Sequence, residues 1–240
     1  RALIKSMDRE TYGNVLLKGT YIPGGPMLPP SLDYAFDELD KMNPDKYDVE
    51  AAKKLLADAG WKDTDGDGFV DKDGKNLELN FTFYSGRAEL PLFAEAVQSD
   101  AKKVGIKVNL KNVDYNILFD IGKKGEYDLL ISNILTEQAG DPEFFMNVYF
   151  RTNKDGNTPE NASGYSNPEY DALSEKLSGE FDPAKRRDII IQMEKIMMND
   201  AGTVILGYPK TNLVSSKNIA NANIYPCDYY WVTKDITPAK

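Results

Sequence analysis

Histidine is absent from the sequence and cysteine occurs once, and each shortage excludes a class of site. Without histidine the chain cannot form a histidine-ligated zinc site or a serine–histidine catalytic triad. Its single cysteine, Cys227, has no partner for an internal disulfide bond. The chain therefore has neither histidine acid–base chemistry nor a disulfide framework.

Long apolar runs and clustered positive charge are also lacking. No run approaches the roughly 20 apolar residues of a membrane span. The 38 acidic residues outnumber the 29 basic ones, for a formal net charge of -9. This balance disfavours nucleic acid and anionic membrane surfaces as partners. A hydrophobic content of 41% is sufficient for a sizeable core in one or two domains.

Strands and helices are predicted to alternate through the middle of the chain. Residues 77–84, 106–113 and 127–134 have the apolar, β-branched and aromatic composition of strands. Residues 89–104 and 114–123 place apolar residues at helical spacing. The alternation predicts an α/β fold with right-handed crossovers and a mostly parallel sheet flanked by helices.

The candidate ligand-binding segments follow from this topology. Ligands of open parallel sheets bind beyond the carboxyl ends of the strands, which here are residues 84–89, 113–116 and 133–141. An arginine in such a segment can bind a carboxylate, although it is also typical of a solvated loop. The candidate ligand-binding side chains are Tyr84, Arg87, Asn133, Glu137, Gln138 and Asp141.

Further elements are predicted on either side of this region. Residues 2–17 and 49–59 carry apolar stripes typical of helices. Pro168 and Pro183 each follow a capping residue, which indicates a helix start. Residues 203–208 are predicted to form a buried strand.

Two segments are predicted to lack regular structure or to lie apart from the lobe. Residues 19–30 are dense in glycine and proline and predict an irregular loop. Residues 224–232 are apolar and aromatic and predict a closing strand or a packing arm. Residues 1–214 are accordingly assigned to one lobe, and residues 215–240 to a return segment that packs on the lobe or leaves it.

Residues 63–74 (DTDGDGFVDKDG) match part of a calcium-binding loop. The residues at positions 1, 3, 5 and 9 of that loop are Asp63, Asp65, Asp67 and Asp71. Position 12, a bidentate glutamate in the motif, is Gly74, and a strand follows where the motif needs a helix. A structural calcium site and a polar turn that enters the strand both remain open.

Five motifs occur in an order found in one protein family. They are RALIKSMDRE, YDVEAAKKLLADAGWKDTDGDGFVDKDGKNLEL, GIKVNLKNVDYN, EYDLLI with GDPEFFMNVYF, and GYSNPEYDALSEKL with DPAKRRDIIIQMEKIMMND. This order resembles the C-terminal half of the family 5 extracellular solute-binding proteins of ABC importers, which include oligopeptide, dipeptide and nickel receptors. The similarity runs from residue 1 to nearly residue 240.

The resemblance implies a type II periplasmic-binding-protein fold, with this chain as the large C-terminal lobe. The implied function is binding a peptide or a small-molecule nickel or other metal chelate in an inter-lobe cleft, and delivering it to a membrane ABC permease. The N-terminal lobe, as the second partner, would form the other wall of the cleft. The implied location is extracytoplasmic, either in the periplasm or lipid-anchored on the outer face of the cell membrane. A monomer is expected, with no nucleic acid and no cofactor beyond the possible calcium.

The resemblance also assigns roles to the third loop. Peptide-binding members place an aspartate after the third strand to bind the amino group of the ligand, and Glu137 is the closest match. Asp141 matches the Asp-Pro of the family, which also fits a helix cap. Many members carry Trp or Tyr in this loop, but residues 134–140 have no aromatic residue. The nickel-chelate or dipeptide site therefore does not transfer directly, and a metal cargo would arrive bound to a small-molecule chelator.

Two alternatives and one expectation about chain length accompany this interpretation. Glu137 and Asp141 could serve as the paired carboxylates of a hydrolase, although no enzyme is expected. The aspartate-rich loop could instead make the chain a calcium-braced interaction module. No cap or signal peptide precedes the first helix, so the chain is expected to be a fragment of a longer protein.

Overall fold

The computed structural model describes residues 1–137, 140–154, 160–224 and 232–239, so Gln138 and Cys227 lie outside the described residues. The α-helices are α1 (Ala2–Ser6), α2 (Arg9–Thr11), α3 (Phe36–Met42), α4 (Val49–Asp58), α5 (Glu89–Lys103), α6 (Tyr115–Lys124), α7 (Glu143–Phe150), α8 (Pro168–Ser178) and α9 (Pro183–Asp200). The strands are β1 (Tyr21–Pro23), β2 (Asp71–Lys72), β3 (Lys75–Asn76), β4 (Glu78–Phe83), β5 (Lys107–Asn112), β6 (Leu129–Leu130), β7 (Gly207–Pro209), β8 (Ile219–Ala220) and β9 (Thr237–Pro238).

A parallel sheet of β4, β5 and β6 organises the chain, with β4 in the centre. Phe81 on β4 lies opposite Leu110 on β5 and Leu129 on β6. Because α5 joins β4 to β5 and α6 joins β5 to β6, each crossover carries a helix. The prediction of an α/β fold with a parallel sheet flanked by helices is therefore confirmed. The ladders β1–β7, β2–β3 and β8–β9 are separate antiparallel pairs.

The third parallel strand is shorter than the predicted strand at residues 127–134. The Asp128 carboxylate accepts hydrogen bonds from the backbone N–H of Asn80 at 2.7 Å and from its side-chain amide at 3.0 Å. The Asp128 side chain thus accepts the hydrogen bond that a backbone carbonyl oxygen of a longer β6 would accept. As a result, β6 contains only Leu129 and Leu130. The Ile131 N–H still donates to the Thr82 carbonyl oxygen at 3.1 Å before the chain leaves the sheet.

The first hydrophobic core lies between the sheet and α5, with α1 and α4 packed beside it. Phe93 and Val97 of α5 are buried in one cluster with Phe81 and Phe83 of β4. The apolar stripe predicted for residues 89–104 is therefore core, and the charged face of α5 points away from it.

The second core is helical and is formed by α7, α8 and α9. Met146, Tyr170 and Met193 are fully buried there, together with Leu28 from the segment at residues 24–30. The predicted start of α8 is confirmed, because the Asn167 side chain accepts from the backbone N–H of Glu169 at 2.8 Å and that of Tyr170 at 3.2 Å.

The single helix predicted over residues 2–17 is wrong, because it is interrupted after Ser6. The backbone N–H of Asp8 donates to the Asp100 carboxylate at 2.9 Å, and the Asp8 side chain accepts from Thr11 N–H at 3.1 Å. Asp8 thereby caps a new helix, α2, which continues into a π-helical turn at Tyr12–Leu16. A distant carboxylate on α5 therefore overrides the local periodicity.

Residues 19–30 and 203–208 also differ from their predictions. Tyr21–Pro23 forms β1 within the predicted irregular loop, and it pairs antiparallel with Gly207–Pro209. Residues 203–206 are only partly buried and have no regular structure. Each of the paired strands has three residues, too few to show a period of two in the sequence.

The predicted return segment is described only in part. β8 and β9 pair with each other, and residues 225–231 of the predicted aromatic arm lie outside the described residues. The division after residue 214 stays a prediction. Within the described ranges, no helix combines the length and the apolar composition needed to cross a bilayer.

Candidate ligand-binding site

The first two predicted loops and the end of β6 meet at one edge of the parallel sheet. The Val113 N–H, just beyond β5, donates to the Phe83 carbonyl oxygen at 2.9 Å, which joins the ends of β5 and β4. Tyr84 and Val113, from the first two loops, belong to one apolar cluster around the buried Leu118 of α6, together with Ile131, which directly follows β6. The third loop begins two residues later, and its Ile134 packs against the second core. The carboxyl edge of the sheet is therefore one continuous rim, as the strand topology requires.

An aromatic surface covers part of this rim. The Tyr84 ring is buried and lies 5.0 Å from the ring of Tyr115, at an interplanar angle of 59°. Tyr115 is 50% exposed and makes an edge contact with Phe119 at 5.6 Å. Tyr84 thus supports the surface from beneath, and Tyr115 presents a ring to solvent.

Tyr115 was not among the predicted site residues. The Asp114 side chain caps α6 by accepting from the Asn116 N–H at 2.8 Å, so Tyr115 is the first residue of the helix. The available signal is its position directly after the second strand, in the predicted ligand-binding segment 113–116. Its exposure could not be predicted from the sequence. Phe119 is also aromatic and lies one turn later on the same side of α6, yet it is partly buried.

Arg87 is exposed on the first loop. Among the described residues, its guanidinium group has no hydrogen bond and no ion pair. It lies close enough to Tyr21 for its charge to lower the pKa of that hydroxyl, whereas burial and the 2.8 Å hydrogen bond donated to Glu89 raise the same pKa. Arg87 is thus a cation at the rim with donors available to a ligand.

The third loop places Asn133 and Glu137 in partly buried positions. The Glu137 carboxylate accepts a hydrogen bond from the Thr136 hydroxyl at 2.7 Å, and its other oxygen has no hydrogen-bond donor among the described residues. Gln138, the remaining candidate of this loop, lies outside the described residues. The ligand-binding roles of these three residues stay predictions.

Asp141 is held by the protein itself. Its carboxylate accepts from the Arg186 guanidinium at 2.9 Å and from the backbone N–H of Glu143 at 2.8 Å. Arg186 also donates to the Glu143 carboxylate at 2.8 Å and to the carbonyl oxygens of Leu177 and Glu180. These contacts fasten the start of α7 to α8 and α9. They support the helix-cap interpretation of Asp141. They also show that its carboxylate is paired with Arg186, and not with Glu137 as the hydrolase alternative would require.

The aspartate-rich loop is an exposed turn with a buried end. Carboxylate oxygens of Asp63, Asp65 and Asp71 lie within 4.8 Å of one another, whereas Asp67 accepts instead from the Asn76 side chain at 2.9 Å. Hydrogen bonds already occupy the three, and Asp71 accepts from the N–H and the hydroxyl of Thr64. Such bonds are typical of a polar turn, and calcium binding here stays a prediction.

Comparison with known proteins decides the family. The sequence profile of the bacterial extracellular solute-binding proteins, family 5 (middle region), matches residues 1–157. The chain belongs to this family. The individual relatives described below agree with this match. Members of the family are transport binding proteins and not enzymes.

The relatives include receptors for different ligands. The chain is 26% identical to the oligopeptide-binding protein AppA of Bacillus subtilis, over 98% of its own length and 44% of that protein. It is 27% identical to the nickel-binding protein NikA of Staphylococcus aureus, over 78% of its length and 35% of that protein. The chain therefore spans less than half of the length of these relatives.

Solved structures confirm the fold. The structure of Bacillus subtilis AppA in complex with a nonapeptide matches with a TM-score of 0.81 at 24% identity, over 100% of this chain and 47% of that one. Brucella suis NikA in complex with Fe(III)-EDTA matches with a TM-score of 0.72 at 22% identity, over 87% of this chain and 41% of that one. The type II periplasmic-binding-protein architecture predicted for this family 5 chain is thus confirmed.

Proposed function

We propose that this chain is the large lobe of the substrate-binding component of an ABC importer. It binds a peptide or a small-molecule metal chelate in an inter-lobe cleft, and the closed receptor delivers that ligand to a membrane permease. Membership of family 5 supports this assignment, as do relatives named for oligopeptide and nickel binding. The observation that carries it is the carboxyl edge of the sheet, where Arg87 is exposed with no ion pair to any described residue and Tyr115 presents an exposed ring.

The rim suits a ligand that carries both charges. Arg87 offers a planar set of donors to a ligand carboxylate, and Glu137 offers an acceptor to an amino group. Tyr115 supplies a flat apolar face for a side chain. Closure of the second lobe would desolvate these contacts, so the closed state gains free energy that the open state lacks.

A metal cargo would bind through the same groups. The absence of histidine leaves no nitrogen ligand of the preferred kind for nickel in this lobe. The carboxylates of a chelator, by contrast, are suitable partners for Arg87, and its organic framework can lie on Tyr115. The aromatic surface therefore comes from the start of α6, since residues 134–140 supply no aromatic side chain.

The proposed setting follows from the family. The receptor acts outside the cytoplasm, either free in a periplasm or lipid-anchored on the outer face of the cell membrane. Its partners are the ligand, the permease and the other lobe of the same protein, and it acts as a monomer. Neither nucleic acid nor a catalytic cofactor has a role in this mechanism.

Substituting Arg87→Met in the full-length receptor is expected to weaken ligand binding by at least about tenfold, because a charge-assisted hydrogen bond contributes on the order of 1.5–3 kcal/mol. The measurement is isothermal titration calorimetry with two probes, a mixture of short synthetic peptides and a nickel–histidine complex. The melting temperature without ligand should change little, since Arg87 has no described partner to lose.

The matched control is Lys54→Met, which removes one exposed positive charge on α4. This variant should bind both probes as the unmodified receptor does. Equal affinity in the Arg87 variant and the control would contradict the role of Arg87. Failure of the unmodified receptor to bind either probe, or turnover of a bound probe, would contradict the proposed function as a whole.

A further inference from the structure

Glu194 is a buried carboxyl group in the second core. Its side chain projects from α9 and is 1% exposed. One oxygen, Oε2, accepts from the Leu28 backbone N–H at 3.0 Å, and the other, Oε1, has no hydrogen-bond partner among the described residues. A buried carboxylate with a bare oxygen is strongly unfavourable, so such a group is stable mainly in its neutral form.

The partner of Glu194 is a segment without regular structure. Residues 24–30 contain two glycines and three prolines and form neither helix nor strand. Met27 and Leu28 of this segment are nonetheless buried in the second core. Glu194 therefore satisfies a backbone donor of a buried loop, which no neighbouring strand provides.

The Tyr208 hydroxyl group also anchors residues 24–30, from the side of β7. The Tyr208 hydroxyl of β7 accepts from the Gly25 N–H at 3.2 Å and donates to the Pro26 carbonyl oxygen. The segment is thus held between α9 and β7 by one carboxyl group and one phenol. Only the carboxyl group can change its charge at ordinary pH, because burial raises the pKa of Tyr208 above its usual value.

Among the described residues, no positive charge faces the Glu194 carboxyl group. The titratable groups that face it are Tyr170 from α8 and Tyr208 from β7, and burial raises the pKa of both phenols, so both are neutral. The described residues of the 24–30 segment contribute no ionisable side chain. Burial raises the pKa of Glu194 to about 8, against the lowering effect of the Leu28 and Met27 backbone amides.

We infer that Glu194 is a proton-controlled anchor for residues 24–30, which keeps this segment docked on the helical core while it is protonated and releases it when it loses its proton. The segment is the part that moves, because α9 has 18 residues of regular hydrogen bonding. Release carries Met27 and Leu28 out of the core and lets water reach the carboxylate. This pH-dependent opening goes beyond the proposed transport function and does not depend on it.

The sign of the pH dependence follows from linkage. The docked state holds the Glu194 proton up to a pKa of about 8, whereas a released glutamate loses it near the ordinary value of 4.5. Docking is therefore strongest below about pH 4.5, and opening increases by up to about tenfold per pH unit until the pH reaches about 8. Above that pH the opening no longer increases, because both states are then ionised.

Hydrogen exchange of the full-length receptor tests the anchor. After correction for intrinsic rates, protection of the Gly25 and Leu28 amides, which donate to Tyr208 and Glu194, is expected to fall by about twentyfold between pH 6.0 and 7.5 in the unmodified protein. In Glu194→Gln, which keeps the acceptor for Leu28 but cannot ionise, the same amides should keep constant protection. Amides of α5 in the first core serve as the internal reference in both proteins.

Two results would overturn the anchor. One is constant protection of residues 24–30 across this pH range in the unmodified receptor, a measurement that needs no variant and holds even if Glu194→Gln fails to fold. The other is the same fall in protection in Glu194→Gln as in the unmodified receptor, which would assign the pH dependence to a different group. If Glu194 only packed in the core, amide protection of residues 24–30 would not depend on pH in either protein.

Discussion

Replacing Gly24 with alanine is expected to destabilise the lobe by about 3 kcal/mol or more, the upper end of the usual cost of overpacking. A Cβ atom at Gly24 would lie 1.8 Å from the Ile205 carbonyl oxygen and 2.5 Å from its carbonyl carbon. Both are backbone atoms, so no side-chain rotation relieves the contact. The backbone must shift beside the β1–β7 pairing, in which Pro23 lies opposite Gly207.

Urea unfolding measures this effect through the midpoint of the transition. The matched control is Gly179→Ala at the end of α8, where the nearest atom to a new Cβ is 3.9 Å away and φ is -103°. That substitution meets neither a steric contact nor an unfavourable backbone conformation, and should change stability by less than about 0.5 kcal/mol. Equal midpoints for the two variants would show that residue 24 and residue 205 are not in close contact.

Replacing Arg186 with methionine is expected to destabilise the lobe by about 2 kcal/mol. The arginine is 19% exposed and donates to two carboxylates, Asp141 and Glu143, and to two backbone carbonyl oxygens. Its loss leaves two neighbouring partly buried carboxylates without a positive partner, and breaking such a pair costs about 3–5 kcal/mol when fully buried. The Asp141 and Glu143 side chains are 39% and 28% exposed, so solvent screening lowers the expected cost below that range, to about 2 kcal/mol.

The adjacent arginine provides the control. Arg187 pairs with Asp33, whose side chain is 94% exposed, at 3.1 Å. An exposed pair contributes less than about 1 kcal/mol, so Arg187→Met should shift the urea midpoint only slightly. If both methionine variants unfold alike, the Asp141–Arg186–Glu143 contacts do not fasten α7 as the distances indicate.

The strand–helix alternation was predictable because its signals are local. The apolar spacing of α5, the cap at Asn167 and the proline starts of α8 and α9 each act within one or two turns of helix. From these signals the parallel sheet and its carboxyl edge followed by topology. The same rule located the loops that carry Tyr84, Arg87 and Glu137, although their ligand contacts stay predictions.

The incorrect predictions all involve partners far along the chain. Asp8 meets Asp100 and ends the first helix early, and Asp128 meets Asn80 and shortens β6. The strand at residues 21–23 exists because residues 207–209 pair with it. None of these contacts leaves a periodic pattern in the sequence, so helix and strand periodicity could not predict them.

The sequence by itself determined the fold class, the family and the edge of the sheet where a ligand is expected, because periodicity, caps and motif order are properties of neighbouring residues. Only the tertiary structure decided which side chains are exposed, paired or buried there. It exposed Tyr115, joined Asp141 to Arg186 and enclosed Glu194 in an apolar core. Burial and charge pairing are set by residues brought together from distant positions, and the free energy of an ionised group depends on those neighbours.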